Sequence, residues 1–290
     1  MHFLPVKLKD FILVAKPGIV VGNAFAVLGG FLYGSINGVN GLALVGVVFG
    51  SLLVIAASCV VNNYLDRDID RLMHRTAKRP SVTGIIPYRT AMYYAATMYV
   101  SGFGLLLWLT NLSTAAIGLL GALTYTLVYY AAKRRTYWGT FVGAFPGATP
   151  PLAGYMAAAN HFDQAALLLF FIMFAWQMPH FYAIGIFRAE DYKRAGVPVL
   201  PVAKGLGRTV WEMRLYGLAF VVLCYLLARW HQAGFMFGLA MVILGAYWLL
   251  PMFSPNWRRD QVGTARIVFK RSLHVLFGLC FFLAMSHVLL

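Results

Sequence analysis

Acidic residues are scarce in this sequence. Its 290 residues include 9 Asp+Glu against 24 Lys+Arg, and charged residues of all kinds make up only 11%. A soluble domain carries about 25%. The chain therefore has too little polar surface to cover a water-soluble globule, and a hydrophobic content of 61% excludes disorder as well. Cysteine is also sparse. Cys59, Cys224 and Cys280 each lie inside an apolar run, and three scattered thiols make neither a disulfide framework nor a zinc site. They read as small apolar packing residues.

What the chain has in abundance is long apolar stretches. A bilayer core needs about 20 mostly apolar residues per helix. Nine such runs appear, at approximately 17–34, 42–63, 90–109, 113–132, 138–158, 164–187, 210–229, 234–252 and 272–290. The expected fold is all-α: one domain over residues 1–290, a polytopic membrane protein with about nine transmembrane helices around a central cavity capped by cytoplasmic loops. The opening MHFLPVKLKDFILVAKPG breaks its apolar residues with charges and has no A-x-A-like cleavage site. It is expected to lie on the membrane surface as an amphipathic lead-in.

On a soluble chain the formal charge of +15 would suggest nucleic acid. Placed among the runs, it reads as topology instead. Lys7, Lys9 and Lys16 precede the first run. Arg67, Arg71, Arg75, Lys78, Arg79 and Arg89 follow the second, and Lys133 to Arg135 follow the fourth. Arg188, Lys193, Arg194, Lys204, Arg208 and Arg214 follow the sixth, and Arg258, Arg259, Arg266, Lys270 and Arg271 follow the eighth. Only Arg229 is left for the other side, whose connections are short and nearly neutral. The positive-inside rule puts the N-terminus and the basic loops in the cytoplasm and the C-terminus outside. The expected location is the lipid bilayer of a bacterial inner membrane, with no nucleic-acid partner.

Two of the basic loops also hold most of the acids. The second run ends VIAASCVVNNYLDRDIDRLMHRTAKRPSVTG, where Asn62, Asp66 and Asp70 are spaced i, i+4, i+8 and share one helix face. Asp68 points roughly the other way. An amide and two carboxylates are hard oxygen ligands, a set suited to Mg²⁺, which completes its shell with water and substrate phosphate. Arg75, Lys78 and Arg79 lie just downstream, and cations beside metal-binding carboxylates suit a diphosphate. The alternative is a solvated helix end with i,i+4 charge pairing. Ionisable residues emerging directly from an apolar run favour a functional reading.

NNYLDRDIDRLMHRTAKRP resembles the first aspartate-rich motif, N-x-x-x-D-x-x-x-D, of the intramembrane aromatic prenyltransferases. These are all-helical membrane enzymes that bind an isoprenyl diphosphate through Mg²⁺. Further along, WQMPH, the stretch RAEDY, VPVLPV, GAFPGATPPLAGY and KPGIVVGN resemble the protohaem IX farnesyltransferase branch. The resemblance runs from about Lys16 to about Lys204. It implies farnesyl diphosphate and haem B as substrates and Mg²⁺ as cofactor, with Asn62, Asp66 and Asp70 as metal ligands. It further implies that Lys193 takes part in catalysis and that Arg75, Lys78, Arg79, His180, Arg188, Asp191 and Tyr192 bind substrate. Direct contact with a downstream haem-modifying enzyme or terminal oxidase is left open.

The sequence departs from the superfamily at its second acidic motif. Glu190 and Asp191 are present, but four residues before them stand Ile186 and Phe187. Lys193 and Arg194 are the expected diphosphate contacts there. His180, after Pro179, is either a haem contact or a packing histidine. Gly143, Gly147, Pro150, Pro151 and Gly154 make either a kinked cavity wall or a close helix contact. His2, His161, His231, His274 and His287 carry no partner pattern. Three rival functions remain: a related prenyltransferase with a quinone-precursor or other aromatic acceptor, a structural haem-binding membrane protein, which would not need the Asn62/Asp66/Asp70 stripe, and a transporter using the acids for ion coupling. Transporter acids sit near the midplane in repeated halves, whereas these cluster at cytoplasmic ends and no strong repeat is evident.

Overall fold

The computed structural model describes residues 6–230 and 233–286, so His2, His231 and His287 lie outside the described residues. Within them the ordered elements are all helical. α1 (Leu8–Val14) leads into α2 (Pro17–Gly34) and α3 (Gly41–Leu65). Two short helices, α4 (Arg67–Arg71) and α5 (Pro80–Thr83), occupy the loop before α6 (Tyr88–Leu109). α7 (Leu112–Leu123) runs through a π-helical stretch (Thr124–Tyr129) into α8 (Tyr130–Arg135). Then come α9 (Gly139–Ala159), α10 (Gln164–Phe187), the short α11 (Ala189–Arg194), α12 (Leu200–Trp230), α13 (Gly234–Leu249) and α14 (Gln261–Met285).

Among the described residues, eight helical stretches are long and apolar enough to cross a membrane. α9 supplies the remaining expected run. It has 21 residues, about 30 Å at 1.5 Å per residue, but its prolines and glycines dilute its hydropathy. Helix starts are set by capping side chains: Asn40, Asn111, Asp163 and Asp260 each accept a hydrogen bond from a first-turn N–H. Sequence hydropathy placed two starts late. α12 begins at Leu200 and is interrupted at Gly205 (φ 77°), and α14 begins at Gln261 rather than near 272. Both extensions carry basic residues, Lys204 and Arg208 in α12 and Arg266, Lys270 and Arg271 in α14, which interrupt the apolar run while the helix continues.

The long helices form a closed ring. Each packs on the next from α2 through α3, α6, α7, α9, α10, α12, α13 and α14, and α14 returns to α2. α2 also packs closely on α9. A Cβ at Gly154 would lie 2.8 Å from the Phe31 nitrogen, and one at Gly34 would lie 2.9 Å from the Tyr155 carbonyl. The small residues of α9 therefore serve a close helix contact. Pro150 cannot donate to the Pro146 carbonyl, and the Thr149 hydroxyl does so instead at 2.8 Å.

Candidate active site

The end of α3 and the short α4 build the acid–amide stripe: Asn62 is in α3, Asp66 stands between the two helices rather than inside one continuous helix, and Asp70 is in α4. Asn62, Asp66 and Asp70 are only 2%, 5% and 5% exposed. Asp68 faces outward and is clasped by Arg134 at 2.6 and 2.8 Å. That hydrogen-bonded guanidinium holds the Asp68 carboxyl down at about 2.

Each stripe residue is met by a cation from a different element. Lys16 Nζ, at the α1–α2 junction, donates to Asn62 Oδ1 at 3.1 Å. Lys133 of α8 pairs with Asp66, with Arg134 Nη2 3.7 Å from the same carboxylate. Arg79, just before α5, pairs with Asp70 at 2.6 Å and also donates to Asn63 Oδ1 at 3.2 Å. Asn63 in turn donates to the Val14 carbonyl at 2.6 Å, fixing α1 against α3. Lys16 reaches the stripe from a left-handed backbone (φ 56°) directly before Pro17, a conformation that costs about 1–3 kcal/mol in a non-glycine residue. Burial lowers its ammonium to about 8.

The π-helical stretch orients the opposite wall. Tyr125 and Tyr129 stack at 5.5 Å. The Tyr125 hydroxyl is 3.5 Å from Asn62 Oδ1, and the Tyr129 ring lies 4.9 Å from Lys133 Nζ. π-helical turns recur at functional sites because the extra residue per turn re-aims side chains.

The second acidic segment joins the same region through one of its two acids. Asp191 is 8% exposed and accepts from the His74 backbone N–H at 3.2 Å, while Glu190 is exposed. Met73, Ala195 and Val197 form a small apolar cluster that fastens α11 to the first loop, with Ile69 and Tyr192 packed on it. Burial pushes the Tyr192 hydroxyl up, opposed by Arg75 and Arg79 and reinforced by Asp191 and Asp70. Arg75, Lys78, Arg188 and Lys193 are exposed and form no salt bridge among the described residues. They are exposed cations of the two loops, Arg75 and Lys78 on the first and Arg188 and Lys193 on the second.

The donor set can be tested against a metal. Among the described residues no three His, Cys, Asp or Glu side chains gather around one point. Mg²⁺ does not require such a cage, since one or two carboxylates plus phosphate oxygens suffice. Asp66 Oδ1 is buried with no hydrogen-bond partner, and so is Asn62 Nδ2. A buried carboxylate oxygen that makes no hydrogen bond and has Arg134 Nη2 no nearer than 3.7 Å, one turn from the buried Asp70, fits a hard cation that shares its shell with a phosphate.

His180 lies elsewhere, on the α10 face against α14. It is stacked on Trp176 and hydrogen-bonded to Ser272.

The family model for the UbiA prenyltransferase family matches residues 23–284. The chain belongs to that family. Protoheme IX farnesyltransferase 2 of Pseudomonas aeruginosa (strain UCBPP-PA14) is 43% identical over 268 residues, 92% of this chain and 90% of the relative. A digeranylgeranylglyceryl phosphate synthase structure superposes with a TM-score of 0.79 at 20% identity, covering 98% of this chain and 99% of its own. A UbiA homologue from Archaeoglobus fulgidus, bound to DMAPP and Mg²⁺, superposes with a TM-score of 0.65 at 19% identity, covering 92% and 99%. This UbiA-family chain is thus an integral membrane prenyltransferase.

Four residues that the structure places against the stripe or its cations were not read from the sequence as site candidates. Lys133 counted only as a topology charge, Lys16 only as that and as the start of the KPGIVVGN segment, Asn63 was passed over beside Asn62, and Tyr125 was one aromatic among many. Lys133 carried a usable signal: it stands eight residues after Tyr125 and four after Tyr129, on one helical face.

Proposed function

We propose that the chain transfers the farnesyl group of farnesyl diphosphate to a vinyl group of haem B, giving haem O and releasing diphosphate. The observation that carries this reading is the buried Asn62/Asp66/Asp70 stripe, met by Lys16, Lys133 and Arg79 from three other elements. Such a site suits an anion that brings its own metal. The acceptor is suggested by the name of the curated relative.

In this reading Asn62, Asp66 and Asp70 would hold Mg²⁺, which neutralises diphosphate charge and so favours its departure. Arg75, Lys78, Arg79 and Lys193 face the diphosphate and stabilise the charge that grows on it as the C1–O bond ionises. Asp191 and Tyr192 hold the second loop over the first, and Arg188 extends the basic rim. A haem vinyl carbon attacks farnesyl C1. Water then captures the resulting cation, losing a proton, to leave a hydroxyethylfarnesyl group. His180 contacts the haem in the apolar region between α10 and α14. The site opens to the cytoplasmic face of the inner membrane, where the basic loops lie.

The test is a proteoliposome assay with haem B, farnesyl diphosphate and Mg²⁺, read by mass spectrometry. The expected product is haem B plus one farnesyl group and one hydroxyl, the proton of the captured water having been lost. Prenylation of an aromatic quinone precursor in place of haem would overturn the acceptor. Absence of transfer to either acceptor would overturn the reaction.

A further inference from the structure

Ser272 of α14 lies opposite His180 of α10. Its hydroxyl oxygen is 2.6 Å from the Phe269 carbonyl one turn back and 2.7 Å from His180 Nδ1. A serine hydroxyl has one hydrogen, and a carbonyl oxygen can only accept. If that hydrogen turned toward the imidazole, two oxygens would face each other at 2.6 Å with no proton between them. The hydrogen therefore goes to Phe269, and His180 Nδ1 donates to Ser272. This fixes the imidazole as the Nδ1–H tautomer and leaves a lone pair on Nε2.

The ring has little freedom to leave this arrangement. Trp176 stacks on it at 4.9 Å and 25°, and Phe269 packs against it at 4.9 Å and 36°. Trp176 Nε1 donates to the Ser272 carbonyl at 2.9 Å, fastening the two helices at the same residue. Ser272 is fully buried, whereas His180 keeps 8% exposure. Nε2 makes no hydrogen bond among the described residues and is not one of the sealed polar atoms.

We propose that Ser272 is a positioning residue for the haem acceptor. By holding His180 as the Nδ1–H tautomer, it makes Nε2 a ligand for the iron of the bound haem. A hydrogen bond from the far nitrogen orients a ligating imidazole and raises its basicity. The proposal rests on the reading of haem as the acceptor.

The test is a titration of the purified full-length protein with ferric haem B, followed by absorption and electron paramagnetic resonance. The wild type is expected to give a histidine-ligated signature that His180→Ala abolishes. Ser272→Ala is expected to weaken haem binding about 10-fold or more and to shift the ligation signature, and Ser272→Thr, which keeps the hydroxyl, to restore both. A Ser272→Ala titration identical to the wild type would overturn the proposal, as would an unchanged signature in His180→Ala. If Ser272→Ala does not fold, ¹⁵N shifts of His180 in the wild-type protein decide the tautomer, and an Nε2–H imidazole contradicts it. The two readings fail separately. Histidine-ligated haem without farnesyl transfer sinks the reaction, and farnesyl transfer without histidine ligation sinks this proposal.

Discussion

Asp66 and Lys133 form an ion pair whose side chains are 7% and 10% exposed. Removing one member strands the other in a poorly solvated place, at a typical cost of about 3–5 kcal/mol, whereas removing both leaves no orphaned charge. The surroundings make the two single losses unequal. After Lys133→Met, the Asp66 carboxylate still has Arg134 Nη2 at 3.7 Å. After Asp66→Ala, the Lys133 ammonium has the Tyr129 and Tyr130 rings at 4.9 and 6.0 Å and the more distant charge of Asp70, but no paired carboxylate among the described residues. Asp66→Ala should therefore destabilise by about 3 kcal/mol, Lys133→Met by less, and the double variant by no more than Asp66→Ala alone. Unfolding in mixed detergent micelles measures all three, and activity should be lost in all three. Strictly additive losses would refute the pairing. Wild-type turnover in Lys133→Met would refute its place beside the diphosphate.

Other consequences follow from single contacts. Gly154→Val should destabilise by about 1–3 kcal/mol through overpacking, because its Cβ would meet α2 at Phe31; a wild-type unfolding midpoint would contradict the α2–α9 contact. Burial raises the Asp163 carboxyl, but the Ala166 N–H, the Tyr155 hydroxyl and His161 together outweigh it and hold the group below its usual value. Its contribution is thus present at neutral pH and fades as pH falls through its folded value. Asp163→Ala should cost about 1 kcal/mol as a lost helix cap, and the gap to wild type should close in acid. Lys16 loses its charge above about 8, so KM for farnesyl diphosphate should rise on that limb and Lys16→Arg should move the limb upward. An alkaline limb unmoved by Lys16→Arg would detach Lys16 from the diphosphate.

The sequence made the helices legible because hydropathy reports the bilayer directly. It read α2, α3, α6 and α10 nearly end to end, and it failed at α12 and α14, where helix continues past the apolar core. The stripe was legible for the same kind of reason: i, i+4, i+8 spacing is local, and the three residues stay in phase across the break at Asp66 because the Asp66 and Asp70 N–H groups still bond the carbonyls four residues back, at 3.0 and 2.8 Å. Of its cations only Arg79, nine residues from Asp70, was legible; Lys16 lies 46 residues and Lys133 67 residues from its partner, and only tertiary packing joins them. The π-helical stretch at Thr124–Tyr129 has no sequence signature of its own, so the aiming of Tyr125 was hidden. At Asp191 the sequence showed an incomplete motif. The structure shows one buried acid tied to the first loop by the His74 N–H.

The central claim is that the Asn62/Asp66/Asp70 stripe is where the diphosphate is held and released. Asp70→Asn tests it with little disturbance, since Arg79 keeps its bond to Asn63 and the side chain keeps its shape. The decisive measurement is single-turnover formation of farnesylated haem across a Mg²⁺ titration, in wild-type and Asp70→Asn proteoliposomes. The expected result is a Mg²⁺-dependent rate in the wild type and a loss of about 100-fold or more in the variant, equivalent to about 3 kcal/mol of transition-state stabilisation, with an unfolding midpoint lowered by less than in Asp66→Ala, because Arg79 is 24% exposed and keeps Asn63. A variant rate equal to the wild type at every Mg²⁺ concentration would contradict it.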